Sequence, residues 1–162
     1  MKPTLRIAKE EDLSSVWNMY KAAKSYEGCV WNDEYPSEDI LLEDFKADML
    51  YVFVLENKMI GAISAEFDEE WDNFDCWKIQ SEKYIGFARV VIAEEYLGQG
   101  YGTKMVEETL ALFKKNGWDT VRIFVSPKNL SAMAIYKKLG FDFLCIGRAY
   151  DEDFWLCEKG LD

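Results

Sequence analysis

Apolar residues recur along this chain in two rhythms. Runs such as Tyr51-Val52-Phe53-Val54-Leu55, Met59-Ile60-Gly61-Ala62-Ile63-Ser64-Ala65 and Thr120-Val121-Arg122-Ile123-Phe124-Val125 have the length and β-branched or aromatic content of strands. Elsewhere Leu13, Val16, Trp17 and Tyr20 fall at i, i+3, i+4 and i+7, and Met105, Val106, Thr109, Leu110 and Phe113 repeat at the same spacing, each marking one helical face. The first strand is Leu5 to Ile7. The acids Glu10-Glu11-Asp12 open the first helix, where its dipole favours them. Ser37 caps a second helix with Ile40, Leu41 and Phe45 inward, and Glu56-Asn57-Lys58 makes a hairpin-like link. A third helix ends at Asn116-Gly117, a fourth runs from Ser131 to Leu139, and two strands close the chain near Phe143 to Gly147 and Phe154 to Glu158. The stretches Cys29 to Pro36 and Asp68 to Glu82 lack a period and read as loops. The order predicts one α/β domain over residues 1–162, with antiparallel N-terminal strands and a parallel β-α-β crossover past mid-chain.

That crossover holds the most informative stretch. The apolar run Arg89-Val90-Val91-Ile92 ends just before Leu97-Gly98-Gln99-Gly100-Tyr101-Gly102-Thr103, and the third helix follows. Glycine reaches positive φ cheaply, and the first amides of a helix lack internal partners, so such a turn makes a phosphate cradle. The turn alone does not choose a ligand. A dinucleotide fold wants G-x-G-x-x-G in its first β-α-β unit, and a P-loop wants G-K-[S/T]; here the spacing is G-x-G-x-G and the end is Gly102-Thr103-Lys104.

Charge and cysteine content narrow the classes. Nineteen basic against thirty acidic residues give a net charge of −11, which argues against binding nucleic acid or an anionic membrane and is compatible with a cationic partner. No run approaches the ~20 apolar residues of a membrane span, and Met1-Lys2-Pro3-Thr4 has no apolar signal core, so a cytoplasmic protein is expected. Cys29, Cys76, Cys145 and Cys157 are scattered, so no metal is expected and free, mostly buried thiols are. With no histidine, acid–base work falls to carboxylates, Tyr, Cys, Lys or water.

A second motif lies downstream: Asn129-Leu130-Ser131-Ala132-Met133-Ala134-Ile135-Tyr136-Lys137-Lys138-Leu139-Gly140-Phe141. Together with the glycine turn it resembles the GCN5-related N-acetyltransferase (GNAT) superfamily, whose members show [Q/R]-x-x-G-x-[G/A] and later N-x-x-(S/A)-x-x-x-Y-x-(K/R)-x-G-F. Leu5-Arg6-Ile7 through Leu13 is similar to the family's start, so the likeness spans nearly the whole chain. Leu97 departs from it, standing where Arg or Gln is usual, and Glu94 stands where Pro is frequent.

The resemblance implies a mixed, mostly antiparallel sheet of six to seven strands with a central splayed parallel pair and about four helices. It implies acetyl-CoA as co-substrate, held by the strand backbone at Val90, Val91 and Ile92 and by the turn from Leu97 and Gly98 through Gln99, Gly100, Tyr101 and Gly102 to Thr103. Asn129 resembles the residue that bonds the pantetheine arm, a helix cap being the other reading. Tyr136 resembles the proton donor to the leaving thiolate, the other reading being a core aromatic. Gln99 is a candidate substitute donor for the missing basic residue. The acceptor side is implied between the first two helices, at Trp31 and Tyr35, where aromatic faces beside acids suit an ammonium. Glu66, Glu94 and Glu95 are candidate bases, and the 68–82 excursion is a second candidate wall. The implied activity is transfer of an acetyl group to a primary amine of a small molecule or peptide by a monomer or homodimer. The alternatives are a weak or inactive acyl-CoA sensor of the same fold, and nucleotide binding through the glycine turn.

Overall fold

Strand alternation decides which way each side chain faces, and in the computed structural model, which describes residues 2–162, it splits the core in two. Along β2 (Leu50–Leu55), Leu50 and Val52 face one layer and Phe53 the other. The first layer is closed by α1 (Leu13–Ala23), through Val16, Met19, Tyr20 and Ala23, and by Leu41 of α2 (Glu38–Lys46). The second is closed by Met105, Val106, Leu110 and Phe113 of α3 (Tyr101–Lys115) and by Tyr136 of α4 (Leu130–Lys138). Among the described residues no helix is long and apolar enough to cross a membrane.

Among those residues one seven-stranded sheet forms. Its strands are β1 (Thr4–Ile7), β2, β3 (Lys58–Glu66), β4 (Tyr84–Ile92), β5 (Thr120–Val125), β6 (Asp142–Ala149) and β7 (Glu152–Gly160). The spatial order is β1-β2-β3-β4-β5-β7-β6, with every neighbour antiparallel except β4 and β5. The β2–β3 hairpin turns on Glu56 and Asn57, both at positive φ, which matches the twist of the flanking strands.

The parallel pair touches only at its start, Tyr84 against Thr120 and Ile85 against Val121. Beyond that the strands part. Gly86 sits where they diverge: a Cβ there would collide with the Arg122 carbonyl oxygen and lie 2.6 Å from the Trp71 ring. A bulge bends β4 further on. Ala62 faces Val91 but Ser64 faces Ala88, so two steps on β3 oppose three on β4, and Arg89 takes φ +51°.

Two expectations need correction. The 68–82 excursion walls the opening through Asp68 and not through its aromatic residues. Trp71 is buried beneath Gly86, and Trp77 stacks 4.7 Å from the Arg122 guanidinium at the opposite end of the seam. Of the four thiols only Cys157 is buried; Cys29, Cys76 and Cys145 are half-buried, because they lie on a loop, the excursion and an edge strand.

Candidate active site

A cleft of about 1260 Å³ follows the parted seam from the glycine turn to the ends of β3 and α2. At the turn, Gly98 (φ +72°) and Gly100 (φ +85°) hold left-handed backbone that other residues resist, and a Cβ on either would meet open space. Gly102 instead makes room for the Ile135 side chain, 3.2 Å from a would-be Cβ. Among the described residues no protein acceptor takes the amides of Gly98, Gln99, Gly100, Tyr101, Gly102 or Thr103; the first helical bond is from Lys104 to the Gly100 carbonyl. No acid stands in the first turn of α3 to compete for them. The result is a bare, positively polarised helix start facing the cleft.

Gln99 does not replace a basic side chain, because its amide nitrogen donates to the Glu95 carbonyl at 3.0 Å and folds back onto its own turn. Leu97 is exposed. Among the described residues no Lys or Arg from this half lines the cleft; Lys104 instead lies over the Tyr101 ring.

Val90, Val91, Ile92, Asn129 and Tyr136 line the middle of the cleft. Asn129 is a helix cap: its Oδ1 accepts from the Ala132 amide at 3.1 Å, which leaves its Nδ2 donor available. Tyr136 is buried edge-on against Phe87 and Phe141, with centroids 5.5 and 5.6 Å away. Burial there pushes its hydroxyl above the ordinary tyrosine range, so it stays protonated at any working pH.

The far half is polar. Arg89, Asp44, Glu66 and Tyr35 converge there. Arg89 Nε and Nη2 donate to the two Asp44 oxygens at 2.7 and 3.1 Å, and Nη1 donates to the Tyr35 hydroxyl at 3.0 Å. Nη1 lies 3.8 Å from Glu66 Oε1. Ser64 Oγ donates to Asp44 at 2.7 Å. Burial pushes the Glu66 carboxyl up to about 7, with the Arg89 charge opposing and Asp68 and Asp44 adding to the rise. Tyr35 is fixed by its loop, where Asn32 Oδ1 accepts from the Glu34 and Tyr35 amides at 2.8 and 2.9 Å. Trp31 stands edge-on to Tyr20 at 5.4 Å and lines the same space. From the other side the β6–β7 turn reaches over, and the Tyr150 hydroxyl donates to Asp68 at 2.7 Å.

The structure therefore brings Trp31, Tyr35 and Glu66 to one cleft with Tyr136 and the glycine turn. It does not bring Glu94 or Glu95, which sit exposed on a short 3-10 turn, Glu95 pairing with Lys58 at 3.3 Å. Arg89, Asp44 and Tyr150 were not anticipated, and Asp68 was covered only as the start of the 68–82 excursion. A charge inside an apolar strand run and an acid four residues after Ile40, on the inward face of its helix, were the available signals for the first two.

Residues 15–141 match the family described as "Acetyltransferase (GNAT) family". Curated relatives include N-acetyltransferase YobR of Bacillus subtilis, 36% identical over 58 residues. That match spans 36% of this chain and only 24% of YobR. The L-amino acid N-acyltransferase MnaT of Escherichia coli is 23% identical over 141 residues, 85% of this chain and 78% of MnaT. Among solved structures, yncA from Salmonella typhimurium, described with its cofactor acetyl-CoA, superposes with a TM-score of 0.73. It is 17% identical and covers 100% of this chain and 95% of its own.

Proposed function

The chain belongs to the acetyltransferase (GNAT) family, and from that premise we propose that it moves an acetyl group from acetyl-CoA to a primary amine carried by a cationic small molecule or peptide. One observation carries the reading: six consecutive main-chain amides without protein acceptors stand at the head of a helix, beside a seam where two parallel strands have parted. The fit to the co-substrate is geometric. Amides from Gly98 to Thr103 suit a pyrophosphate, the edge of β4 at Val90 to Ile92, where the Ile92 carbonyl accepts from the Tyr26 hydroxyl at 2.8 Å, suits an amide-bearing arm added like a strand, and Asn129 Nδ2 offers a further donor. The description of yncA with acetyl-CoA in a similar fold supports the same assignment.

The rest of the cleft supplies the chemistry. The acceptor nitrogen must be neutral to attack, and Glu66, with its carboxyl near the physiological range, takes its proton. The new C–N bond forms as the C–S bond breaks, the nitrogen sheds its second proton, and the departing sulfur gains one, which leaves an amide and the free thiol of CoA. A main-chain N–H of β4 stabilises charge on the carbonyl oxygen, and the Tyr136 hydroxyl donates a hydrogen bond to the departing sulfur. Arg89 is the one cation among the described residues lining the cleft, against Glu27, Glu43, Asp44, Glu66, Asp68, Asp151 and Glu152. That imbalance favours an acceptor with positive charge beyond its reacting amine.

The test is stabilisation by acetyl-CoA followed by free-thiol release over a panel of amines graded by charge. Turnover that rises from neutral amino-acid amides to polyamines agrees with the reading. No stabilisation by any CoA ester rejects it. Stabilisation without turnover on any amine favours an acyl-CoA sensor, a reading to which the exposed Leu97 and the lack of cations at the glycine turn lend weight.

A further inference from the structure

We propose that Arg89 is a positioning residue for the acceptor half, holding Glu66 and the Tyr35 loop in the arrangement that receives the amine. This rests on the reading of Glu66 as base. A guanidinium inside a sheet is costly unless its donors are filled. Here the fork is bidentate to Asp44 and also reaches the Tyr35 hydroxyl, and its side chain is only 9% exposed. The backbone is left-handed at this position, φ +51°, at a cost of about 1 kcal/mol for a residue with a Cβ. Glycine would sit there without strain, so what the bulge presents is the side chain.

That side chain ties three separate elements together. Asp44 brings α2, Tyr35 brings the loop before it, and Glu66 brings the end of β3. Ser64 holds the Asp44 oxygen that Nε also uses, so the fork cannot swing freely. The charged and titratable groups facing Glu66 are Arg89 from β4, Asp44 from α2, Asp68 from the segment after β3, Tyr35 from its loop and Tyr150 from the β6–β7 turn. Arg89 alone among them favours the ionised carboxylate that accepts a proton. Asp44, by engaging the fork and adding negative charge, works against it.

The experiment is the pH dependence of kcat/KM for one amine at saturating acetyl-CoA, in wild type, E66Q, R89Q, R89K and D44N. The reading of the base requires an ascending limb near pH 7 that E66Q abolishes. Positioning by Arg89 predicts that R89Q moves this limb up by roughly one pH unit, that D44N moves it down, and that R89K leaves it in place while raising KM for the amine. Opposite shifts from two halves of one ion pair are not what general loosening produces. If R89Q does not fold, R89K decides: a raised KM for the amine with the limb in place supports the role of Arg89, and an unchanged KM overturns it. An E66Q enzyme that keeps the limb overturns the base and the proposal with it. Loss of the limb in E66Q with no movement in R89Q or D44N overturns the role of Arg89 and leaves the base standing.

Discussion

Holding a carboxyl group out of water costs free energy once that group ionises. Folded Glu66 keeps its proton to about pH 7, whereas the unfolded chain releases it near the ordinary value of 4.5. Between those values the folded state holds more protons than the unfolded one, so stability falls as pH rises, by on the order of 3 kcal/mol in total. E66Q cannot ionise. Its melting temperature relative to wild type should climb from pH 5 to pH 7 and level off above, as read by calorimetry; a gap independent of pH would mean that Glu66 is not desolvated. Activity follows the opposite sign, rising through the same window because the ionised carboxylate is the base. Tyr136 is argued from the other direction. Its hydroxyl stays protonated, so Tyr136→Phe should lower kcat about tenfold or more, with little change in KM for acetyl-CoA, in steady-state thiol-release assays. An unchanged kcat would remove Tyr136 from the chemistry and leave it a core aromatic.

Two elements shape the cleft, the glycine turn and the bulged strand β4, and they differ in how far the sequence discloses them. The turn is legible because Gly98 and Gly100 are needed for their φ and the helix that follows has a clear period. The bulge is not. A one-residue slip in the pairing of Ala62 and Ser64 with β4 is set by long-range register, and Arg89-Val90-Val91-Ile92 reads as a plain buried run. The same blindness hid Asp44, whose partners are twenty and forty-five residues away. At the turn, backbone amides work without help from a cationic side chain. Placing one at the exposed rim, Leu97→Arg, should tighten CoA several-fold, about 1 kcal/mol, in a calorimetric titration, and the gain should shrink with added salt. At the seam, Gly86→Ala forces the Arg122 carbonyl and the Trp71 ring apart. It should cost roughly 2 kcal/mol or more in denaturant unfolding, with loss of acetyl-CoA binding as β4 and β5 shift.

Across the whole molecule, the seven-stranded sheet with its single parallel pair follows from the alternation of apolar runs and helical faces, and the GNAT-like motifs point to the same layout. The halves of the cleft carry different charge logic. One offers main-chain amides to an anion, and the other gathers acids around a single arginine. The sequence shows the first as motif and the second through Trp31, Tyr35, Glu66 and a net charge of −11, while no local pattern says which acids meet around Arg89. The most direct test of this division is a crystal structure with acetyl-CoA bound. The account predicts the diphosphate on the amides of Gly98 to Thr103, the pantetheine arm along Val90 to Ile92, and the thioester between Tyr136 and Glu66. A coenzyme bound elsewhere, or a cleft that stays closed to it at millimolar concentration, would contradict it.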